Sequence, residues 1–384
     1  MKKIFIISVV FLVITLFFLG VYNFAFRKNE PTKNAGTQQQ AQKNDVAPNQ
    51  NTQPTTNAKS KISQITKDSI IGPVADRKTE KIYFYAASDG TAWKMDPDGG
   101  NRSQISSTVL QGLQNVAWSP NETKVITNFN KDGKSVFFEY DYDKKAATQL
   151  KDGLDTAVWD NIGARIIYKY FDAKTKKRTL NVANPDGSNW QVLAEIPFRN
   201  VDVAQIPTTS LVSFWNAPAS QEETQLQTVG LTGGEVKTLF RGRYGADYLW
   251  SPQGDQVLVS SLDSPGSRTL SLGTVDMSGK YQDFGVATLA SKCTWSFDGK
   301  DVYCAVPQAI SDNSNMPDDY ESKKITTKDV FWKIDTVTGQ KQQLVSSNTL
   351  NGASYDATNV FLSPTEDALM FLNRIDGRLY RLEL

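Results

Sequence analysis

Val116–Phe129 reads VAWSPNETKVITNF: an apolar run ending in tryptophan, a Ser-Pro turn, then a second apolar run. The same order returns at Tyr248–Ser261 (YLWSPQGDQVLVSS), Cys293–Val306 (CTWSFDGKDVYCAV) and Val360–Asn373 (VFLSPTEDALMFLN). Looser copies stand at Ala157–Tyr170 (AVWDNIGARIIYKY) and Ala204–Trp215 (AQIPTTSLVSFW). With Trp118, Trp159, Gln205, Trp250, Trp295 and Leu362 as equivalent anchors, the steps are 41, 46, 45, 45 and 67 residues. Short aromatic and β-branched runs broken by Ser, Pro and Gly are strands and turns. A strand-turn-strand unit recurring every 40–50 residues or so is the signature of a β-propeller blade.

The remainder of each unit repeats as well. WKMDPDGGNRSQI at Trp93–Ile105, LNVANPDGSNWQVL at Leu180–Leu193, LSLGTVDMSGKYQDF at Leu270–Phe284 and FWKIDTVTGQKQQLV at Phe331–Val345 each carry a strand, an Asp/Gly turn and another strand. Glycine in such hairpin turns supplies the positive φ they require. Each unit therefore supplies four antiparallel strands, and Ile70–Asp96 makes a divergent first unit. The last unit ends at LYRLEL, Leu379–Leu384, one strand short. KISQIT at Lys61–Thr66 resembles RSQIS at Arg102–Ser106, a fourth strand, and is expected to complete the last blade and remove its exposed edge. The fold expected is all-β: a seven-bladed propeller of four-stranded antiparallel blades over 61–384, closed by its N-terminal strand.

WSPNETK, WSPQGDQ, WSFDGKD and LSPTEDA resemble the Trp-Ser-Pro-Asp-Gly repeat of TolB-like propellers, a WD-repeat-like group. The resemblance covers about Lys61–Leu384 and implies the propeller fold. It implies little about activity, because binding proteins and the propellers of prolyl-peptidase-like enzymes share the repeat.

Composition narrows the function. Of 384 residues, 42 are Lys or Arg and 41 Asp or Glu, a net charge of +1, so no nucleic acid or other polyion is implied as partner. There is no histidine and there are two cysteines. Ser-His-Asp and Cys-His nucleophile systems and histidine metal sites are thereby excluded, as is a thiolate zinc cluster. No metal or cofactor is expected. The Asp96–Asn101 and Asn184–Asn189 turns imitate calcium loops only in part, lacking the distant bidentate glutamate.

Upstream of the repeat, 1–26 is read as a signal-anchor transmembrane helix: Ile4–Tyr22 is 19 residues without a charge, enough to span a membrane. A cleaved signal peptide is the rival reading, and a reversed anchor with a cytoplasmic propeller a second. Residues 27–60, rich in Gln, Asn, Thr and Pro, read as a disordered tether. The chain is thus expected to be a single-pass membrane protein with its bulk outside the cytoplasm, in the periplasm or at the cell surface.

Candidate site residues come from the loops that begin each inner strand. Three residues before the anchors stand Asn115, Thr156, Asp202, Asp247, Lys292 and Asn359, all polar. With Arg199, Arg243 and Tyr244 from neighbouring loops they form either a hydrated channel rim or a patch for a polar or charged ligand. The repeated tryptophans are read as packing between blades rather than a ligand cage. The insertion after Val306 carries Met316, Asp318, Asp319, Tyr320 and Glu321 and is either a partner-binding lid or a mobile loop. In CTWSFDGKDVYC a two-residue Asp298-Gly299 turn would set Cys293 opposite Cys304, within reach of a disulfide; a one-residue shift would leave two core cysteines. The function expected is a non-catalytic, monomeric binding module for an envelope protein or glycan. The alternative is a channel-centred enzyme of lactonase or lyase type, which a cluster of buried carboxylates with raised pKa would favour.

Overall fold

The computed structural model describes residues 61–345, 350 and 352–384, within one compact unit, Ala58–Leu384. The expected anchor at Ile4–Tyr22 and tether at 27–60 lie outside the described residues. Among the described residues no helix is long and apolar enough to cross a membrane.

The strands follow the repeat. β1 (Ile62–Gln64) opens the chain, and β2–β5 (Ile70–Asp76, Lys81–Ala86, Ala92–Met95, Ser103–Ser106) form the first sheet. β6–β9 (Leu113–Trp118, Lys124–Lys131, Lys134–Asp141, Ala146–Gln149) and β10–β13 (Leu154–Trp159, Ile166–Phe171, Arg178–Ala183, Gln191–Glu195) form the next two. A seven-stranded sheet follows, β14–β20 (Val201–Gln205, Leu211–Asn216, Glu223–Gly230, Lys237–Trp250, Gln256–Leu262, Leu270–Asp276, Tyr281–Asp283). Its 14-residue strand β17 runs without a break from the outer edge of β14–β16 to the inner edge of β18–β20. A 3₁₀ turn, Ala290–Lys292, leads into β21–β24 (Cys293–Trp295, Asp301–Pro307, Asp329–Asp335, Lys341–Val345). The helix α1 (Asp318–Glu321) interrupts the β22–β23 connection.

The last sheet joins both ends of the unit. β25, β26 and β27 (Ala357–Leu362, Ala368–Asn373, Arg378–Glu383) are completed by β1, with Ile62 opposite Leu382 and Gln64 opposite Tyr380. Closure by the N-terminal strand is therefore present, and it pairs the edge that β27 would otherwise expose.

The core sits between sheets rather than within any one of them. Phe84 and Met95 of the first sheet pack on Met370 and Leu379 of the last, and Ile167 and Leu180 pack on Val203 and Phe214. A sheet with both faces covered reads as nearly continuous apolar strands. The burial of every residue in β26, ALMFLN, shows why.

Two recurring local devices explain the motif. The motif serine closes a six-residue turn: Ser119, Ser251 and Ser363 each donate their N–H to the carbonyl five residues on, and their hydroxyls accept the N–H of that same residue. The tryptophan before it stitches neighbours together. The indole N–H groups of Trp118, Trp159 and Trp295 donate to the carbonyls of Gly72, Ala117 and Leu249, and that of Trp250 to Ser213 Oγ. Gln205, the divergent anchor, keeps the role by accepting the Asn161 N–H.

The turn in β21–β22 is longer than the two-residue Asp298-Gly299 hairpin. Ser296 pairs with Asp301, its hydroxyl donating to Asp298 and accepting from the Asp301 N–H. The register is the one expected all the same: Cys293 faces Cys304, and their sulfurs are bonded at 2.13 Å.

Candidate functional site

The inner strands adjoin one another in a circuit, β2 with β6, β6 with β10, β10 with β14, β17 with the 290–292 turn, that turn with β25, and β25 with β2. Their first residues form the mouth. Most of these strands start irregularly, with register breaks at Ile71/Val74, Leu113/Asn115, Leu154/Thr156, Tyr244/Asp247 and Thr358/Phe361. A bulge re-aims the side chain that follows it: Asn115, Thr156 and Asp247 are the first residues paired again after their breaks, Asn359 lies inside its break, and Asp202 is paired in an unbroken ladder. Gly72 fills this place in the first unit, at φ 54°; a Cβ there would collide with the Val116 side chain.

The structure brings the ring residues together in neighbouring groups. Asn115 and Asn359 line one cavity of about 310 Å³ with Gly72 and Trp118. Asn115 also lines a smaller one, about 100 Å³, with Asp155 and Thr156. Next to these, buried Lys169 donates to Asp155 and to the Arg199 carbonyl. Arg199 itself is exposed.

On the inner strands that follow lies a carboxylate group. Half-buried Asp202 on β14 is pushed up to about 6 by burial and by the charge of Glu321. Asp247 on β17 is pushed up to about 7 by burial and then by Asp202 and Glu321, although its carboxylate accepts the Tyr248 N–H. Glu321 on α1 is exposed at the edge of this group, and partial loss of surrounding water raises it against the pull of Arg374 and Lys292. None of the three forms an ion pair among the described residues.

Lys292 is not a rim residue. Its side chain is 1% exposed and its ammonium donates to Thr327, Asp329 (2.7 Å), Asp356 (2.9 Å) and the Ala357 carbonyl. Tyr320 donates to the same Asp356, and Arg374 holds the carbonyls of Tyr320 and Ile325 while stacking on the Tyr320 ring at 4.0 Å. Burial opposes ionisation of Asp356, but the Lys292 charge and these hydrogen bonds outweigh it and hold the carboxyl below its ordinary value. For Asp329 burial wins over Lys292, and its pKa is raised. The motif spacing carries no trace of Asp329, Asp356 or Arg374, which come from outside the anchor strands.

Part of the insertion folds back onto the propeller. Met316 and Tyr320 are buried against Leu262, Leu270 and Leu289, and Tyr244 packs on the same group. Asp318 accepts the Ser220 N–H, and Asp319 accepts the Asn315 N–H and pairs with Lys324. The expectation that Met316 and Tyr320 meet a partner is therefore corrected: their apolar area is spent on the propeller itself. Pro317 lies so close to Gly245 that a Cβ there would meet it at 2.8 Å. Arg243 also lies apart from the mouth, with its guanidinium over the Tyr281 ring at 4.2 Å, toward the outer strand β20. The strand period turns it away: Arg243 precedes the bulge that re-aims Asp247.

No family model matches the chain, and no curated protein matches it. Solved structures similar to it include an oligogalacturonate lyase in complex with manganese, at 13% identity and TM-score 0.61, covering 84% of this chain and 93% of that one. The β-propeller domain of the trilobed protease from Pyrococcus furiosus, described as having an open velcro topology, matches at 10% identity and TM-score 0.53, with 82% and 95% covered. TolB from Acinetobacter baumannii matches at 12% identity and TM-score 0.46, with 73% and 64% covered. The first two likenesses show the fold and nothing finer, and they agree with the Trp-Ser-Pro repeat and the closed circuit of sheets: this chain carries a β-propeller.

Proposed function

We propose that the chain is a non-catalytic binding module, a seven-bladed propeller that receives a cationic group of a protein or glycan partner at its channel mouth. The count of seven takes β17 as the outer strand of one blade and the inner strand of the next. It is supported by seven apolar clusters, one at each junction between successive blades around the ring. The observation that carries the binding reading is the convergence of Asp202, Asp247 and Glu321 from three elements without a paired cation. A positive group seated there would favour the ionised forms of Asp202 and Asp247 and offset the cost of their partial burial.

The test is calorimetry of the full chain with tetralysine, and with its fully acetylated form as control. Tetralysine is expected to bind at pH 8, and about tenfold or more weaker at pH 5, where carboxyls near 6 and 7 are protonated. Asp202→Asn with Asp247→Asn should abolish the difference. Equal binding of both peptides, or none, would end this reading.

A second reading, an enzyme of lactonase or lyase type, is favoured by the same raised carboxylates, which suit a general base. The manganese of the similar lyase is not carried over, since the chain has no histidine and no metal-holding group of Asp, Glu or Cys is found among the described residues. Turnover of an oligogalacturonate that disappears in Asp247→Asn would replace the binding reading with this one.

The propeller is further proposed to stand outside the cytoplasm on the Ile4–Tyr22 anchor, on the strength of that uncharged run. Full-length protein should then stay with membranes after carbonate washing, and a soluble species beginning near residue 26 would refute it.

A further inference from the structure

A second candidate site lies between the first two sheets. A cavity of about 210 Å³ is walled by Tyr85, Leu110, Thr127, Phe129, Phe138, Tyr140 and others, with exposed Thr108 and Ala147 at its edge. Several of its polar atoms are already spent inside the protein. Tyr85 and Tyr142 hydroxyls bond each other at 2.6 Å, and Thr127 Oγ1 donates to the Phe138 carbonyl. Phe129 and Phe138 meet edge to face at 5.8 Å, and both are only half-buried, so an apolar surface is held open. An engineered apolar cavity on the order of 150 Å³ already takes up benzene.

The sheet face that lines this cavity does not end with it. In the β7–β8 register Thr127 stands opposite Phe138, Phe129 opposite Val136, and Lys131 opposite Lys134. Residues two apart share a face, so Lys131 and Lys134 follow Phe129 and Val136 on the cavity side. Both are exposed, and neither forms an ion pair among the described residues. Asp132, at the turn between them with φ 54°, pairs with neither. Like charges directly opposite on a ladder destabilise it, and a bound anion would reverse the sign of that contribution.

We propose that this cleft binds a small amphipathic carboxylate, with its ring or short chain among Phe129, Phe138 and Tyr140 and its anionic end at Lys131 and Lys134. The cavity sets the size, a single ring, and the lysine pair sets the charge. The site is separate from the carboxylate mouth and attracts the opposite sign.

The test titrates the full chain with 4-phenylbutyrate, its neutral amide and 4-phenylbutylamine, read by calorimetry and ligand-observed NMR. The carboxylate should bind tightest and the amine weakest. Lys131→Gln with Lys134→Gln should lower carboxylate affinity about five- to tenfold, to the level of the amide, and leave amide binding unchanged. Ala147→Phe, at an exposed edge position that the fold tolerates, should block all three while the melting temperature holds. Equal affinity for carboxylate and amide in the parent would overturn the lysine assignment. Undiminished binding in Ala147→Phe, or no saturable binding of phenylbutyrate, would overturn the site.

Discussion

Trp118, Trp159 and Trp295 each spend their indole N–H on a main-chain carbonyl of the preceding sheet, while the ring fills the gap between sheets. One residue type thus supplies both area and direction at each junction. Trp159→Phe keeps most of the area and loses the bond to Ala117, so a loss of about 0.5–1.5 kcal/mol is expected in denaturant unfolding. Trp159→Ala should cost about 3–5 kcal/mol. Asp247 behaves in the opposite sense, because its place weakens the fold. Its folded pKa, about 7, lies above the ordinary carboxylate value, so between roughly pH 4 and 7 the folded state holds more protons than the unfolded one. Stability contributed by the protonated form is present at low pH and lost as pH rises through 7. Asp247→Asn should therefore melt higher than the parent at pH 8, with a gain of a few kcal/mol at most, and the difference should vanish near pH 4. A parent that is more stable than the variant at pH 8 would contradict the half-buried state of this carboxyl without a paired cation.

At the scale of elements, the insertion after β22 shows how a long loop becomes architecture. Its helix α1 delivers Tyr320 to Asp356 and Glu321 to the mouth, and Arg374 clamps it through two carbonyls. Lys292, from the turn before β21, ties β23 to the start of β25 through Asp329 and Asp356. Removing the cation from such a pair leaves buried carboxylates without compensation, so Lys292→Ala should cost about 3–5 kcal/mol. A small loss in thermal unfolding would mean that water reaches these carboxylates. The register of β21–β22 survived a turn longer than the two-residue hairpin because the Ser296 hydroxyl closes six residues with the same Ser296–Asp301 pairing that a tighter hairpin would give.

For the whole molecule, closure is the dominant fact. β1 lies more than 300 residues from β27 in sequence, yet Leu379 N–H donates to the Thr66 hydroxyl and Ile62 is buried against the last sheet. A chain starting at Lys67 would lose Ile62, Ile65 and this ladder and expose the edge of β27, costing roughly 3 kcal/mol or more and inviting aggregation. A truncation that melts like the parent would show that closure rests on packing between sheets alone. What the sequence determined by itself was the architecture, because the Trp-Ser-Pro spacing, the period-two strands and the Asp/Gly turns are local signals that each blade repeats. It also determined that Asn115, Thr156, Asp202, Asp247 and Asn359 begin inner strands, since position in the repeat fixes position in the ring. Only the tertiary structure decided what those residues do there. Charge coupling, burial and unpaired lysines depend on distances between blades, and residues such as Glu321, Asp356, Arg374, Phe138 and Lys131 meet their partners across gaps that no repeat spacing encodes.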